Sequence, residues 1–467
     1  MVDRLALHEI SIAAAGELLR SGNLSSVDLT RYSLERIDAL DHQVHSFVTV
    51  TRERALEDAA AADADFAAGV DRGPLQGIPY GLKDMYDTAG APNTCQSKLL
   101  LGNVAGEDSE VAARLRSGGA VLLGKMSTYE FAIGGPSFDL PSPPSRNPWN
   151  TDCIPGGSSS GAGAAVAAGI CRLAMGTDTA GSIRYPAGAC GAVGLKPTYG
   201  LVSRRGVFPL SYSLDHCGPI TWSVEDCAIA MEVVAGHDAL DPSSADIMVP
   251  QFRREIDWGV QGLRIGVPRH FFESVPGVSR ETVHALDDAI ELLACNGAKV
   301  ENARLPDYDL FNAVAKTLQY AEAYAIHERN LRTRPQDYGR IVRMRLTLGA
   351  FLSAADLVHA MRLRRELTES LNRGIFREFD ALITVNTFGP AIRFDEASIS
   401  PSPPMQPTPF NVTGNPALAM PTGLSSSGLP LSLQIVGRLF DEPMVVRIGA
   451  MLERLLGPKR RPQMANR

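Results

Sequence analysis

What most constrains this chain is a rhythm. Short apolar runs bounded by turn residues alternate with amphipathic stretches along nearly all of its 467 residues. Apolar runs without polar alternation suit strands buried on both faces, and the intervening amphipathic segments are the helices that would cover them. Ser25-x-x-Asp28 is a capping box that opens a helix through Ile37 and Leu40. The pattern predicts a strand at His45–Val50 and a helix from Thr51. The turn cluster Gly73-Pro-Leu-Gln-Gly77 leads into a strand at Ile78–Lys83, and a helix over Val111–Arg116 precedes a strand at Ala120–Lys125. Further helices are expected from Ser223 to Gly236, from Ser279 to Gly297, from Ser353 to about Phe379 and after Asp441. Further strands are expected at Leu263–Val267, Ala381–Val385 and Leu431–Val436. The expectation is an α/β fold, a sheet with helices on both faces.

A length prior of about 150 residues per domain would divide the chain in three. No Pro/Ser/Gly-rich linker or charge block does so, and the sequence reads as one domain, 1–467. The formal net charge of -7 gives no electrostatic footprint for nucleic acid. The only basic cluster, Lys459-Arg460-Arg461, reads as a frayed, soluble tail. Seven cysteines without a C-x-x-C pair argue against a disulfide framework or structural zinc, and without H-E-x-x-H the pair His42 and His45 reads as surface. Asp3, Arg4 and Glu9 interrupt any secretory h-region, and the small-apolar run Gly161–Ile170 is too short to span a bilayer. A cytoplasmic protein without a metal is expected.

Residues 139–163 and 176–194 break the rhythm, being rich in Gly, Ser and Pro without periodicity. They read as loops, where functional backbone tends to sit on a rigid scaffold. In the first, Gly156-Gly-Ser-Ser-Ser-Gly161 feeds an alanine-rich helix, but no Gly-Lys-Ser/Thr follows, so it is not a P-loop. The same residues satisfy G-x-S-x-G with Ser159 at its centre. A nucleophile elbow also needs a buried strand before it and a histidine downstream, for which His216 and His237 are available. In the second, Ser182 follows the small-residue turn Thr179-Ala180-Gly181. There backbone N–H groups can converge as an oxyanion hole, or the segment is a tight turn with a surface serine. Lys83 ends an apolar strand, so it is either neutral and competent as a general base, or paired with Asp84 or Asp87 as a brace.

Taken together, these stretches resemble the amidase signature family. The resemblance rests on Gly156-Gly-Ser-Ser-Ser-Gly161, Gly176-Thr-Asp-Thr-Ala-Gly-Ser-Ile-Arg-Tyr-Pro-Ala187 and Gly77-Ile-Pro-Tyr-Gly-Leu-Lys-Asp84, in the family's order and separation. It continues through Gly194-Leu-Lys-Pro-Thr-Tyr-Gly200, Ser213-Leu-Asp-His-Cys-Gly-Pro219, Pro409-Phe-Asn-Val-Thr-Gly-Asn-Pro416 and Gly428-Leu-Pro-Leu-Ser-Leu-Gln-Ile-Val-Gly437. It implies a large central mixed β-sheet covered by helices on both faces. It also implies a catalytic core at 70–240 and a variable helical region at 252–407 that shapes the substrate pocket.

By this resemblance Ser182 is the nucleophile that forms an acyl-enzyme, Ser158 the bridging serine after a cis peptide bond, and Lys83 the base. The N–H groups of Thr179, Ala180, Gly181 and Ser182 form the oxyanion hole, Asp178 and Arg184 brace that loop, and the Ala132 carbonyl accepts a hydrogen bond from the substrate amide. Ala180 stands where many relatives carry glycine, and Ala162 where many carry serine. The function implied is hydrolysis of carboxylic amide C–N bonds, with carbamates or esters also open and no cofactor. The leading expectation is a stand-alone enzyme, a single chain or a homodimer, acting on a small-molecule amide without nucleic acid or membrane. The alternative is the glutamine-hydrolysing subunit of a tRNA-dependent amidotransferase. Tyr129, Phe131, Phe138, Tyr212, Tyr320 and Tyr324 are candidates for an aromatic pocket lining.

Overall fold

Eleven strands form one sheet in the computed structural model, which describes residues 7–273, 275–397 and 405–466. In chain order they are β1 (Phe47–Val50), β2 (Pro79–Lys83), β3 (Val121–Met126), β4 (Leu173–Asp178), β5 (Val193–Lys196) and β6 (His216–Thr221). There follow β7 (Arg264–Val267), β8 (Lys299–Asn302), β9 (Ala381–Val385), β10 (Ala417–Leu424) and β11 (Pro430–Gly437). The order across the sheet is β1-β3-β2-β4-β6-β5-β10-β11-β9-β7-β8. β2 runs parallel to β3 and β4, β7 runs parallel to β8 and β9, and the remaining pairs are antiparallel, so the sheet is mixed.

Every residue of β2, β3 and β4 is buried. Successive side chains serve opposite faces, as the two-residue period requires. Val121, Leu123 and Ala174 join Leu34, Ile37 and Val166 in one core. Tyr80, Leu82, Leu122 and Met175 join Val224 and Ile229 in the other. This two-sided burial is why these strands lack polar alternation.

The capping residues behave as their sequence demands. Ser25 Oγ accepts the Asp28 N–H at 3.0 Å. Ser353 and Asp356 form a reciprocal box, with bonds of 3.1 and 2.8 Å. The helix they open runs only over Ala354–Glu369 before a π-type segment at Ser370–Ile375. The Gly/Ser-rich stretches hold the expected alanine-rich helix, Ser160–Ala167, and more regular structure besides: the strand β4 and the helix Arg184–Cys190. A 26-residue helix, Tyr308–Thr333, also went unsignalled, because only a handful of its residues are buried and its apolar stripe is thin.

The basic tail is not frayed. Arg461 donates to the carbonyls of Val166 and His8, each at 2.9 Å, and Arg36 donates to those of Ala168 and Ala465, each at 2.7 Å. Helix carboxyl ends present carbonyls without intrahelical partners, and two guanidinium groups answer them here. The Arg461 guanidinium also lies 3.9 Å from the centre of the Trp222 ring. No helix among the described residues is long and apolar enough to cross a membrane.

The sheet fixes where chemistry can occur. β2 and β4 are parallel neighbours with Leu82 opposite Met175, so their carboxyl ends lie side by side. In open α/β sheets the crevice outside the strand carboxyl ends is where ligands bind.

Candidate active site

Lys83 is the last residue of β2 and is fully buried. Its Nζ donates to Thr177 Oγ1 at 2.7 Å and to Ser158 Oγ at 2.8 Å. The carboxylates that could have braced it are engaged elsewhere. Asp84 pairs with the buried Lys125 at 3.0 Å, and Asp87 accepts from Asn93 Nδ2 at 2.7 Å. Burial pulls the Lys83 ammonium down to about 7, against the raising pull of the Asp215 and Asp178 carboxylates. Near neutrality Lys83 can therefore hold or release a proton.

Ser158 stands one residue before the N-cap of the helix Ser160–Ala167, and the peptide bond joining it to Gly157 is cis. A Cβ on Gly157 would lie 2.2 Å from the Tyr129 ring, so only glycine fits there. Ser159 is held differently. Its Oγ donates to the Thr177 carbonyl at 3.1 Å and accepts the Thr177 N–H at 3.2 Å, which turns it into β4. No strand precedes it, and His216 is buried with Nδ1 2.7 Å from the Leu214 carbonyl. The elbow geometry around Ser159 is absent.

Asp178 ends β4 and organises the next turn. Its carboxylate accepts the N–H groups of Gly181 at 2.7 Å and Ile183 at 3.1 Å. It also receives Nε and Nη2 of Arg184, both at 3.0 Å, and Asn411 Nδ2 at 2.8 Å. Burial alone would raise this carboxyl, but the Arg184 guanidinium overrides it and holds Asp178 well below the usual carboxylate range. The fully buried Arg184 donates onward to Gln434 Oε1 and the Pro407 carbonyl, both at 2.9 Å, and to Asn411 Oδ1 at 2.6 Å. Asn411 and Gln434 were not singled out as site residues, although both lie in quoted motifs. The N–H groups of Thr179, Ala180 and Ser182 meet no acceptor among the described residues, whereas Gly181 spends its own on Asp178.

The turn opens into a cavity of about 500 Å³, lined by Ser158, Ser182, Ala180 and Ala132 on one side. Ala132 lies in a turn, Glu130–Ala132, in which both Phe131 and Ala132 are left-handed. Asn312, Lys316, Gln319, Tyr320, Ile341 and Arg345 line the cavity from the helical segments after residue 300. Of the aromatic candidates, Tyr129 and Tyr320 line it, Phe131 is buried beside it, and Tyr212 lines a neighbouring cavity. Phe138 is 68% exposed, and Tyr324 does not line the cavity. No grouping of three or more His, Cys, Asp or Glu side chains that could hold a metal occurs among the described residues.

Comparison with known proteins gives this arrangement a context. The Amidase family model matches residues 28–446. The chain is 37% identical over 476 residues to the A subunit of the glutamyl-tRNA(Gln) amidotransferase of Geobacter metallireducens, covering 96% of this chain and 98% of that one. A solved chain from a vestigial protein complex, described as revealing the evolutionary origins of an s-triazine catabolic enzyme, superposes with a TM-score of 0.89 at 34% identity, covering 95% and 98%. A peptide amidase solved with the inhibitor chymostatin superposes with a TM-score of 0.84 at 30% identity, covering 97% and 99%. These likenesses correct one expectation. A chain acting alone or as a homodimer, on a small molecule and apart from nucleic acid, does not fit a full-length relative named as one subunit of a tRNA amidotransferase, nor a neighbour found in a protein complex. The nucleic-acid part of that expectation came from net charge, which reports the average surface and not the face a subunit turns to its partners. With the motifs, the sheet and the family match in agreement from end to end, the chain belongs to the amidase signature family.

Proposed function

We propose that this chain hydrolyses the side-chain amide of glutamine through an acyl-enzyme on Ser182, as the glutamine-hydrolysing subunit of a tRNA-dependent amidotransferase. The observation that carries the chemistry is the 2.8 Å bond from Lys83 Nζ to Ser158 Oγ, in a cavity that Ser182 also lines. The full-length likeness to one subunit of such an enzyme supports the assignment to a complex.

Neutral Lys83 takes the Ser158 hydroxyl proton as Ser158 takes that of Ser182, and the Ser182 oxygen attacks the amide carbon. The oxyanion that forms is held by the N–H groups of Ala180 and Ser182, with Thr179 adjacent. The unprotonated amide nitrogen is a poor leaving group, so Ser158 gives it a proton and is replenished from Lys83 as the C–N bond breaks and ammonia leaves. Water then attacks the acyl-enzyme through the same relay, releasing glutamate and restoring Ser182. Asp178 and Arg184 hold the turn, and the Ala132 carbonyl receives the substrate amide N–H. Residues 70–240 supply this chemistry, and 252–407 shape the pocket within one domain, 1–467; Asn312, Tyr320 and Ile341 on the wall support that division. A cytoplasmic setting suits the seven unpaired cysteines.

The test is a hydrolysis panel of glutamine, anilides and aliphatic amides, run on the purified chain alone and on the complex it forms in its own cells. Glutamine turnover that depends on the complex is expected. Full turnover of anilides or aliphatic amides by the chain alone, with no glutamine hydrolysis in either form, would sink the amidotransferase reading and leave a free-standing amidase.

A further inference from the structure

Four of the six non-glycine residues with left-handed backbone among the described residues fall in one knot beside the cavity: Cys95 (φ 47°), Gln96 (φ 53°), Phe131 (φ 49°) and Ala132 (φ 61°). Such residues persist only where their surroundings over-determine them, and they collect at functional sites. The two pairs are tied directly, the Phe131 N–H donating to the Cys95 carbonyl at 3.1 Å. Beyond that bond, much of the tie is a carboxylate. Glu130 is fully buried, and one of its oxygens accepts Ser97 Oγ at 2.6 Å. The other accepts the N–H of Gly339 at 2.9 Å. Gly339 is the N-cap of the helix Arg340–Thr347, which carries Ile341 and Arg345 into the cavity.

We propose that Glu130 is a positioning residue that fixes the Ala132 carbonyl for the substrate amide by bracing the Phe131–Ala132 turn against the opposite, helical wall of the cavity. The inference rests on the reading of Ser182 as the nucleophile. Its particular content is that one buried carboxylate joins the Phe131–Ala132 turn to the N-terminus of the wall helix, beside the Asp139 bond to the same helix. Neighbouring groups leave Glu130 no substitute. Asp139 is occupied by the Arg340 N–H at 2.8 Å, and the ring of Phe131 is packed on His327 at 4.4 Å. Only an ionised carboxylate accepts on both oxygens at once. Burial raises the Glu130 carboxyl to about 7, opposed by its bonds to Ser97 and Gly339, with Asp139 adding to the rise and Lys98 opposing it. Cys95, Tyr338 and His327 also titrate on this side, and burial pushes the Cys95 thiol and the Tyr338 hydroxyl up and the His327 ring down to about 4, so all three are neutral near pH 7. Protonation of Glu130 as pH falls through about 7 removes the charge behind both bonds and so loosens the brace.

Glu130→Gln tests this, because it keeps the shape but removes the charge that strengthens both bonds, the Ser97 hydroxyl turning to accept the new amide N–H. Glutamine hydrolysis by the variant complex should show KM raised about tenfold or more, with kcat within about threefold of wild type. Labelling of Ser182 by a small fluorophosphonate, which has no amide N–H for Ala132, should keep its rate. In wild type KM should rise below about pH 7, and in the variant that dependence should vanish. Ser97→Ala, which removes one tie, should raise KM about threefold and serves if the first variant does not fold. A labelling rate that falls as far as hydrolysis, or an unchanged KM in either folded variant, would overturn the role. Failure of the wild-type enzyme to label at Ser182 would instead remove the nucleophile assignment, and the positioning role with it.

Discussion

Around Lys83, Ser158 and Asp178 the polar side chains are buried, and most are answered from far away in sequence: Lys83 by Thr177, Asp178 by Asn411, and Arg184, itself close to Asp178, by Gln434. The helix Ala354–Glu369 buries only Ala360 and Leu367, and Phe351 just before it is 82% exposed. One region is over-determined and the other barely held. A buried network partly unmade costs more than an apolar core of the same size, so the floor of the site tolerates almost no change. The helical wall of the cavity lies outside that helix, at Asn312, Tyr320, Ile341 and Arg345, and recognition can be altered there while the chemistry beneath is kept.

Substitutions can break this contrast, and the largest effect belongs to the floor. Ser182→Ala should abolish turnover, by about 10⁴-fold or more in kcat, and remove fluorophosphonate labelling with the fold intact by circular dichroism. Labelling that survives the substitution would move the nucleophile elsewhere.

Lys83→Arg should cost about 10²–10⁴-fold, because arginine keeps the charge and the donors but does not give up its proton. The sign of the wild-type pH profile follows from the same group. Lys83 acts in its neutral form, so kcat/KM should climb as pH rises through about 7 and level above it. An arginine variant within a few-fold of wild type would take Lys83 out of the proton path.

Asp178→Asn should act on stability. It leaves Arg184 buried with its partner neutralised, a loss of about 3–5 kcal/mol measured by urea unfolding. Because the folded Asp178 carboxyl lies below its unfolded value near 3.9, its stabilisation is complete above about pH 4. That contribution is lost as pH falls through the folded value. Equal urea midpoints for the two proteins at pH 7 would mean that the pair stabilises nothing.

At Ile341 on the wall, and at the exposed Phe351 outside the cavity, the expected effects are smaller. Ile341→Ala should shift the ratio of kcat/KM between large and small amides by about 1–3 kcal/mol, with little change in kcat for the better substrate. Phe351→Ser should change unfolding free energy by less than about 0.5 kcal/mol. A large loss of kcat from either would show that the wall takes part in holding the chemistry.

The floor was also the more legible part. Lys83, Ser158, Asp178, Ser182 and Arg184 sit in contiguous motifs, so local sequence carries their identity, and the sheet brings Lys83 and Ser158 together. Their supports were harder to see. Asn411 and Gln434 reach Arg184 across more than 200 residues, and a single sequence does not record such pairings. β4 was hidden because Gly176 to Asp178 look like loop residues when their burial on both faces is unknown. Glu130 was passed over because a lone glutamate carries no pattern; its importance lies in two left-handed neighbours that only backbone geometry exposes.

The arginine clasp on the helix Ser160–Ala167 carries a consequence for biosynthesis. The carbonyls it closes belong to residues 166 to 168, while one of its two guanidinium groups belongs to residue 461. A ribosome adding about 5–20 residues per second needs roughly another 15 to 60 seconds to reach that residue after making the helix. Through that interval the segment bearing Ser158 lacks its far-end support. The nascent chain is thus expected to stay silent as a hydrolase until residue 461 emerges. Arrested chains ending before residue 461 should react with a fluorophosphonate far more slowly than released ones.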